Sequence, residues 1–255
     1  MTRATDSLHA FSYQPQLIEA GSCYQYIKSN IDGSYPARVF VFIVDSEHLE
    51  VLKLEAHGID AALVKAHMDW DTFSADRLQS WVLTPDGAQK PQASLSSSHR
   101  DQAFTITWQG RSETVRVGHY PVHVYNFDFI SLNLILPHWT HPEGNVPIGV
   151  LQPNFDPDPP TMMRYEGTVD IQYLDDEPRD GTPCRKYRIG GVGLKHHEGF
   201  IWVNQQKGYI EDMEIPTPDN PDWQDFKFRL ISSDRMDPGQ WADFVSGEVN
   251  NLRPA

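Results

Sequence analysis

Cysteine is nearly absent from this 255-residue chain: only Cys23 and Cys184 occur, far apart and outside any Cys-x-x-Cys pair. A disulfide framework and a zinc ribbon are therefore excluded, and the two residues read as reduced, buried thiols. Cations are scarce as well. The 21 Lys and Arg against 35 Asp and Glu leave a net charge of −14, a deficit of the phosphate-neutralising groups that nucleic acids and anionic membranes demand. No run of about 18 uncharged apolar residues is present. The opening residues have neither an apolar stretch nor a small-residue cleavage site, so the expectation is a cytoplasmic protein without nucleic-acid or membrane partners.

Helical spacing is also rare. Apolar residues instead alternate with polar ones in short runs rich in Val, Ile, Tyr, Phe and Trp, which is the pattern of half-buried strands. The predicted strands of the first half cover residues 23–28, 37–44, 49–56, 62–70, 80–84, 92–96, 103–108 and 111–117, the last two joined as a hairpin by Gln109-Gly110. Residues 115–136 are almost continuously apolar, and Gly118 and Pro121 predict two strands meeting at a corner. Residues 137–144 read as irregular, and residues 153–160 carry four prolines, which forbids regular pairing there. The second half predicts strands over 163–174, 184–190, 200–204, 208–215 and 226–232. One helix closes the chain, with Asp237 as N-cap, Pro238 at its first position, and Trp241, Phe244, Val245 and Val249 on one face.

The expected architecture is all-β and antiparallel, closed into a barrel or barrels or stacked as a sandwich so that edges are hidden. The organisation that follows is an N-terminal β half (1–152), a Pro-rich connection (153–161) and a C-terminal β half with the helix (162–255), compatible with one continuous domain.

Familiar catalytic signatures fail: there is no Gly-x-Ser-x-Gly elbow, Walker A loop, EF-hand or His-x-Glu with Cys-x-x-Cys. His119-x-x-x-His123 has the spacing of a zinc pair but lacks its helix and its Glu. On a strand the two imidazoles would stand about 13 Å apart, on one face but not on one metal, so no metal and no cofactor is expected. Tyr125 and Phe127 continue that face.

Residues 118–141 nevertheless gather His119, Tyr120, His123, Tyr125, Asp128, His138 and His141, a set suited either to proton transfer or to hydrogen-bonding a polar ligand. Trp139 in the His138-x-x-His141 loop offers an aromatic wall. His196-His197-Glu198 reads as a turn, and Gly190-Gly191-Val192-Gly193 as a tight bend. In the segment 209–215, Glu211 shares strand parity with Tyr209 and Met213, and Asp212 with Ile210 and Glu214, so one carboxylate is expected to face inward.

Arg164-Tyr165-Glu166-Gly167, Gly181-x-x-Cys184-x-Lys186-Tyr187-x-Ile189-Gly190-Gly191 and Gly199-x-Ile201-Trp202-Val203 together resemble the lipocalin-like (calycin-type) barrel proteins of bacteria, nearest to the carotenoid-hydratase-like group. The resemblance covers about the last hundred residues and carries over no catalytic residue. It implies a cavity for a small, mostly apolar ligand, used in some relatives for cofactor-free hydration, isomerisation or cyclisation and in others for binding alone.

The first reading is thus a cofactor-independent lyase, hydratase or isomerase acting on a hydrophobic or aromatic small molecule. His119, His123 or His138 would move the proton and Asp128 would orient one of them. Trp70, Trp81, Trp202 and the tyrosines would line the wall, with Glu211 beside them. The alternatives are a non-catalytic carrier of a similar ligand and a β-sandwich carbohydrate hydrolase using Asp170 and Glu211. A homodimer is compatible with either.

Overall fold

A computed structural model describes residues 7–54, 61–154 and 161–252. Among these residues fifteen strands form one sheet: β1 (Ser22–Ser29), β2 (Ala37–Ile43), β3 (His48–Leu54), β4 (Ala61–Asp69), β5 (Ser74–Leu83), β6 (Gln89–Ser98), β7 (Ala103–Trp108), β8 (Arg111–Arg116), β9 (Val122–Val124), β10 (Asn145–Pro153), β11 (Met163–Asp176), β12 (Cys184–Gly190), β13 (Glu198–Asn204), β14 (Ile210–Ile215) and β15 (Phe226–Arg235). Each strand from β1 to β8 pairs antiparallel with the next, as do those from β10 to β15. The β1–β15 ladder joins the two series, so the sheet runs β8 to β1 and then β15 to β9.

A single sheet therefore spans both sequence halves. The Pro-rich connection lies mostly outside the described residues.

The sheet curls but does not close. β8 and β9 remain its edges, and β9 pairs only with β10, in parallel. The free edges are approached by side chains instead: the Val122 N–H donates to Ser74 Oγ of β5 at 2.8 Å, and Glu113 of β8 accepts from the Met162 N–H at 2.6 Å. The expected closed barrel is corrected on this point, because the chain at the rim turns inward after β9 rather than pairing with β8.

That inward turn is the second correction. Residues 115–136 are not two strands at a corner. After the three-residue β9 come a 3-10 turn (Tyr125–Phe127), the short helix α1 (Leu132–Ile135) and a second 3-10 turn (Leu136–His138). Phe129, Ile130, Leu132 and Ile135 of this segment are fully buried in the same apolar core as the inner faces of β2, β10 and β15. A continuous apolar run fits a buried helical segment as well as a buried strand, and here it fills the inside of the curled sheet. β10 answers to no expected strand. Its Val146, Ile148 and Val150 do alternate and are buried, but Pro147 and Gly149 interrupt the run.

The outer face of β2–β5 is apolar as well. Phe40, Phe42, Leu52, Leu54 and Leu63 form a separate cluster with Trp241 and Val249, which explains why β2 reads Ala-Arg-Val-Phe-Val-Phe-Ile with both parities buried. Helix α2 (Pro238–Asn250) covers that face. Its start is as predicted: the Asp237 carboxylate accepts from the Gln240 N–H at 2.9 Å, and the Gln240 side chain accepts from the Asp237 N–H at 2.9 Å. Replacing Asp237 by Ala is expected to cost about 1 kcal/mol, read as a lowered urea midpoint with an unchanged slope.

Both cysteines are free and buried, and burial pushes each thiol up to about 11. Neither is an activated nucleophile.

Candidate functional site

Inside the curl, the inner faces of β2 and β4–β7 leave a groove of about 280 Å³ against Val124, Phe127 and Trp223. Strand parity builds it: Val39, Ala62, Val64 and Leu78 point inward, while Phe40, Leu63 and Trp81 point to α2. Among the described residues that line it, the ionisable groups are Lys28 and Lys53 alone. A second, more polar cavity of about 220 Å³ lies nearby, bordered by Tyr125, Gln152, Arg164, Lys195 and Asp219.

Between the two cavities sits a buried ion cluster. Lys28 Nζ lies 2.7 Å from Asp219 Oδ2 and 3.0 Å from Asp128 Oδ1, and Lys53 Nζ lies 2.6 Å from Asp128 Oδ2. Both carboxyl side chains have no exposure, and that of Lys28 has 5%. The Lys28 ammonium also stands 4.2 Å over the Trp223 ring, a favourable seat for a desolvated cation. Asp128 reaches its place from a left-handed backbone (φ 54), followed by Phe129 at φ 49. Two successive residues in that region are uncommon, and complete burial of both supplies the contacts that hold them there.

The cluster divides its protons unevenly. Burial pushes Asp219 up to about 7, helped by the adjacent Asp128 charge and opposed by Lys28. Burial works against the Asp128 carboxylate too, but Lys28 and Lys53 outweigh it and hold this group at about 2. Lys28 is likewise opposed by burial, and its two carboxylates raise it above the ordinary lysine value. Two carboxyls in contact cannot both ionise cheaply, so the pair shares a proton into the neutral range.

None of His119, His123 and His138 lines either cavity. His119 Nε2 faces Ser7 Oγ at 2.9 Å and the Pro147 carbonyl at 3.0 Å, a structural bridge between the N-terminal segment and β10. His123 pairs through Nδ1 with Ser131 Oγ at 2.6 Å, and burial drives it down to about 3. His138 accepts weakly from the Gln14 N–H at 3.4 Å, lies edge-on to Trp70 and is pushed down by burial to about 4. Neither His123 nor His138 changes charge near neutrality, which removes the premise for placing them as acid-base groups.

The shared strand face of His119, His123, Tyr125 and Phe127 is also corrected. Only His123 lies in a strand, and the last two lie in a 3-10 turn. Asp128 orients no histidine; its partners are Lys28, Lys53 and Asp219.

The aromatic wall divides in the same way. Trp70 stacks on Tyr13 at 4.6 Å and donates its indole N–H to the Ser46 carbonyl. Trp81 belongs to the cluster beneath α2. Trp202 lies on the outer face of the second half, with Arg179 3.8 Å above its ring and its N–H on Glu177 at 3.0 Å. Tyr120 is buried against His99 and Phe104, Trp139 is buried against Tyr187, and His141 is exposed. Tyr125 alone of the expected wall reaches one of the two cavities, donating its hydroxyl to the Thr217 carbonyl at 2.6 Å.

Glu211 accepts from the Asn204 side chain at 2.7 Å. Strict alternation misplaces it because β14 carries an irregularity opposite Trp202 and Val203. Ile210 and Met213, three apart, are thereby both fully buried, and Asp212 turns to Arg179 at 2.8 Å. Asp170 is exposed on β11, three strands from β14. At about 4.8 Å per strand that is about 14 Å across the sheet, with a further offset along the strands because Asp170 is level with Gly190 and Glu198, too far for a glycosidase pair. Among the described residues no group of three or more His, Cys, Asp or Glu side chains is placed to hold a metal ion.

No family model and no curated protein matches this chain. Among solved structures it is similar to a chain described as a "putative outer membrane lipoprotein-sorting protein domain" from Vibrio parahaemolyticus, at 10% identity, covering 90% of this chain and 91% of that one, with a TM-score of 0.33. A superposition that loose carries no argument about function.

Proposed function

We propose that the protein is a binding protein for a small, largely apolar molecule held in the inner groove of the first half. The observation that carries this reading is the groove's lining: mainly aliphatic side chains from β2 and β4–β7, with Ser80, Gln92 and Ser94 as uncharged polar members and ionisable groups confined to Lys28 and Lys53. Such a concave apolar surface with few placed polar groups is the usual form of a small-molecule site. Its volume of about 280 Å³ equals that of about nine water-sized groups at about 30 Å³ each. Of the two uses that the lipocalin-like resemblance implies, simple binding is the one this lining supports.

An uncharged solvatochromic dye is expected to bind saturably with a blue shift. Ala62→Trp, which puts an indole into the groove, is expected to weaken that binding at least about tenfold, equivalent to about 1.4 kcal/mol. Far-UV circular dichroism and the urea midpoint check that the variant is folded. Absence of saturable binding, or binding indifferent to this variant, overturns the reading.

A second reading, cofactor-independent lyase, hydratase or isomerase chemistry, draws support from the carboxyl pair. Asp219 borders the polar cavity and keeps its proton to near neutrality beside an ionised Asp128, the split that a general acid and base require. In that case Asp219→Asn abolishes turnover of a bound substrate without abolishing its binding.

A further inference from the structure

We propose that the groove selects its ligand by an acidic head: a monoanionic carboxylate amphiphile, with the carboxylate on the Lys53 ammonium and the tail along the inner faces of β2, β4 and β5. This rests on the binding reading above and adds the chemical class of what is bound.

Charge arithmetic gives the first argument. In a chain of net charge −14, the ionisable groups along this groove, among the described residues, are both cations. Behind them stand Asp128 and Asp219, which touch each other and share a proton. At pH 7, where Asp219 is about half ionised, the two lysines face about one and a half negative charges, and the small surplus is positive. Desolvated, that surplus acts on a ligand with far less screening than a surface lysine would.

Donor arithmetic gives the second argument. An ammonium has three N–H donors. Lys53 donates one to the Asn126 carbonyl at 2.9 Å and is ion-paired with Asp128 at 2.6 Å, which leaves at least one donor. Lys28 is enclosed by two carboxyls and the Trp223 ring, and its side chain is 5% exposed against 20% for Lys53. The open donor of the cluster is therefore at Lys53. A carboxylate is the acceptor that gains most from it, since hydrogen bonds between ionised partners are about twice as strong as neutral ones. From Val39, which pairs with Lys53 across β2 and β3, the lining continues through Val64, Leu78, Leu95 and Ile106, with Ser80, Gln92 and Ser94 as its uncharged polar members; these accept a hydrocarbon tail and offer a second charge no ionic partner.

The test compares decanoate with 1-decanol, equal in chain length and different in head, as competitors of the uncharged dye on the full chain at pH 7. Decanoate is expected to bind at least about tenfold more tightly. Lys53→Met is expected to erase that preference, bringing the decanoate and 1-decanol affinities to within about twofold of each other, and Lys53→Arg to retain it. Should Lys53→Met fail to fold, the wild-type ratio and Lys53→Arg still decide the matter. Equal affinities in the wild type, or a preference that survives Lys53→Met, overturns the acidic head and leaves the binding reading standing. Failure of both competitors to displace a saturably bound dye overturns the acidic head alone, whereas dye binding that Ala62→Trp does not affect overturns both.

Discussion

Lys28→Met is expected to lower the unfolding free energy by about 3 to 5 kcal/mol at pH 8, the cost of removing one partner from a buried ion pair. Wild-type Lys28 sits against two carboxyls that have no exposure. Without it, Lys53 still serves Asp128, but Asp219 has no cation left. Asp219 can escape that loss only by taking up a proton, so the variant's deficit should shrink as pH falls to 5.

The wild-type pH profile follows from the two directions. Asp219 is raised from an ordinary value near 4 to about 7, so the folded state binds the extra proton. Its contribution is complete below about pH 4 and is lost as pH rises to about 7. Asp128 is depressed to about 2; its contribution is present above about pH 4 and is lost as pH falls toward 2. Asp219→Asn, which imitates the protonated carboxyl, should abolish the descent between pH 4 and 7 and keep the acid limb. Urea unfolding of both variants and the wild type from pH 3 to 8 measures this. A Lys28→Met protein within about 1 kcal/mol of wild type at pH 8 would mean that these four side chains do not form one cluster.

That cluster shows where sequence reading reaches its limit. Its members come from β1, β3, the turn after β9 and the loop before β15, and no local pattern links positions 28, 53, 128 and 219. A partial signal is there. Lys28 has the parity of the fully buried Tyr26, and Lys53 that of Val51 and Leu49. A lysine on the inward face of an apolar strand requires a carboxylate, though the sequence does not say which one. The strands themselves were legible because alternation is local: residues 103–108 and 184–190 coincide with β7 and β12.

Where alternation breaks, the reading breaks with it. The irregularity in β14 brings Ile210 onto the buried side with Met213 and breaks the alternation at Glu211, and Pro147 with Gly149 hides β10. The histidine-rich stretch misleads for a different reason. A segment that fills the inside of a curled sheet must carry its polar side chains into the interior, where each is matched to a local partner such as Ser131 or Ser7, and that leaves none of His119, His123 and His138 facing the groove or the polar cavity.

Trp241→Ala is expected to cost about 3 to 5 kcal/mol, although nothing on α2 touches the groove. The indole is 3% exposed, stacks on Phe42 at 5.1 Å and on Phe244 at 5.8 Å, and donates its N–H to Glu50 at 2.8 Å. Truncation leaves a void on the outer face of β2 and β3 and removes the main apolar anchor of the helix. Trp241→Phe separates the contributions in part: it keeps an aromatic ring against Phe42 but loses the hydrogen bond and part of the indole's volume, so it should cost about 2 kcal/mol, less than the alanine variant. Glu50 retains Lys65 at 2.7 Å, which keeps its carboxylate paired in either variant. The cluster under α2 and the groove lining lie on opposite faces of the same strands. Trp241→Ala should therefore lower the urea midpoint while dye affinity, measured where the variant is still folded, stays within about twofold of wild type. If affinity falls in parallel with stability, the helix and the groove are coupled through the sheet, and the two faces of β2–β5 do not act independently.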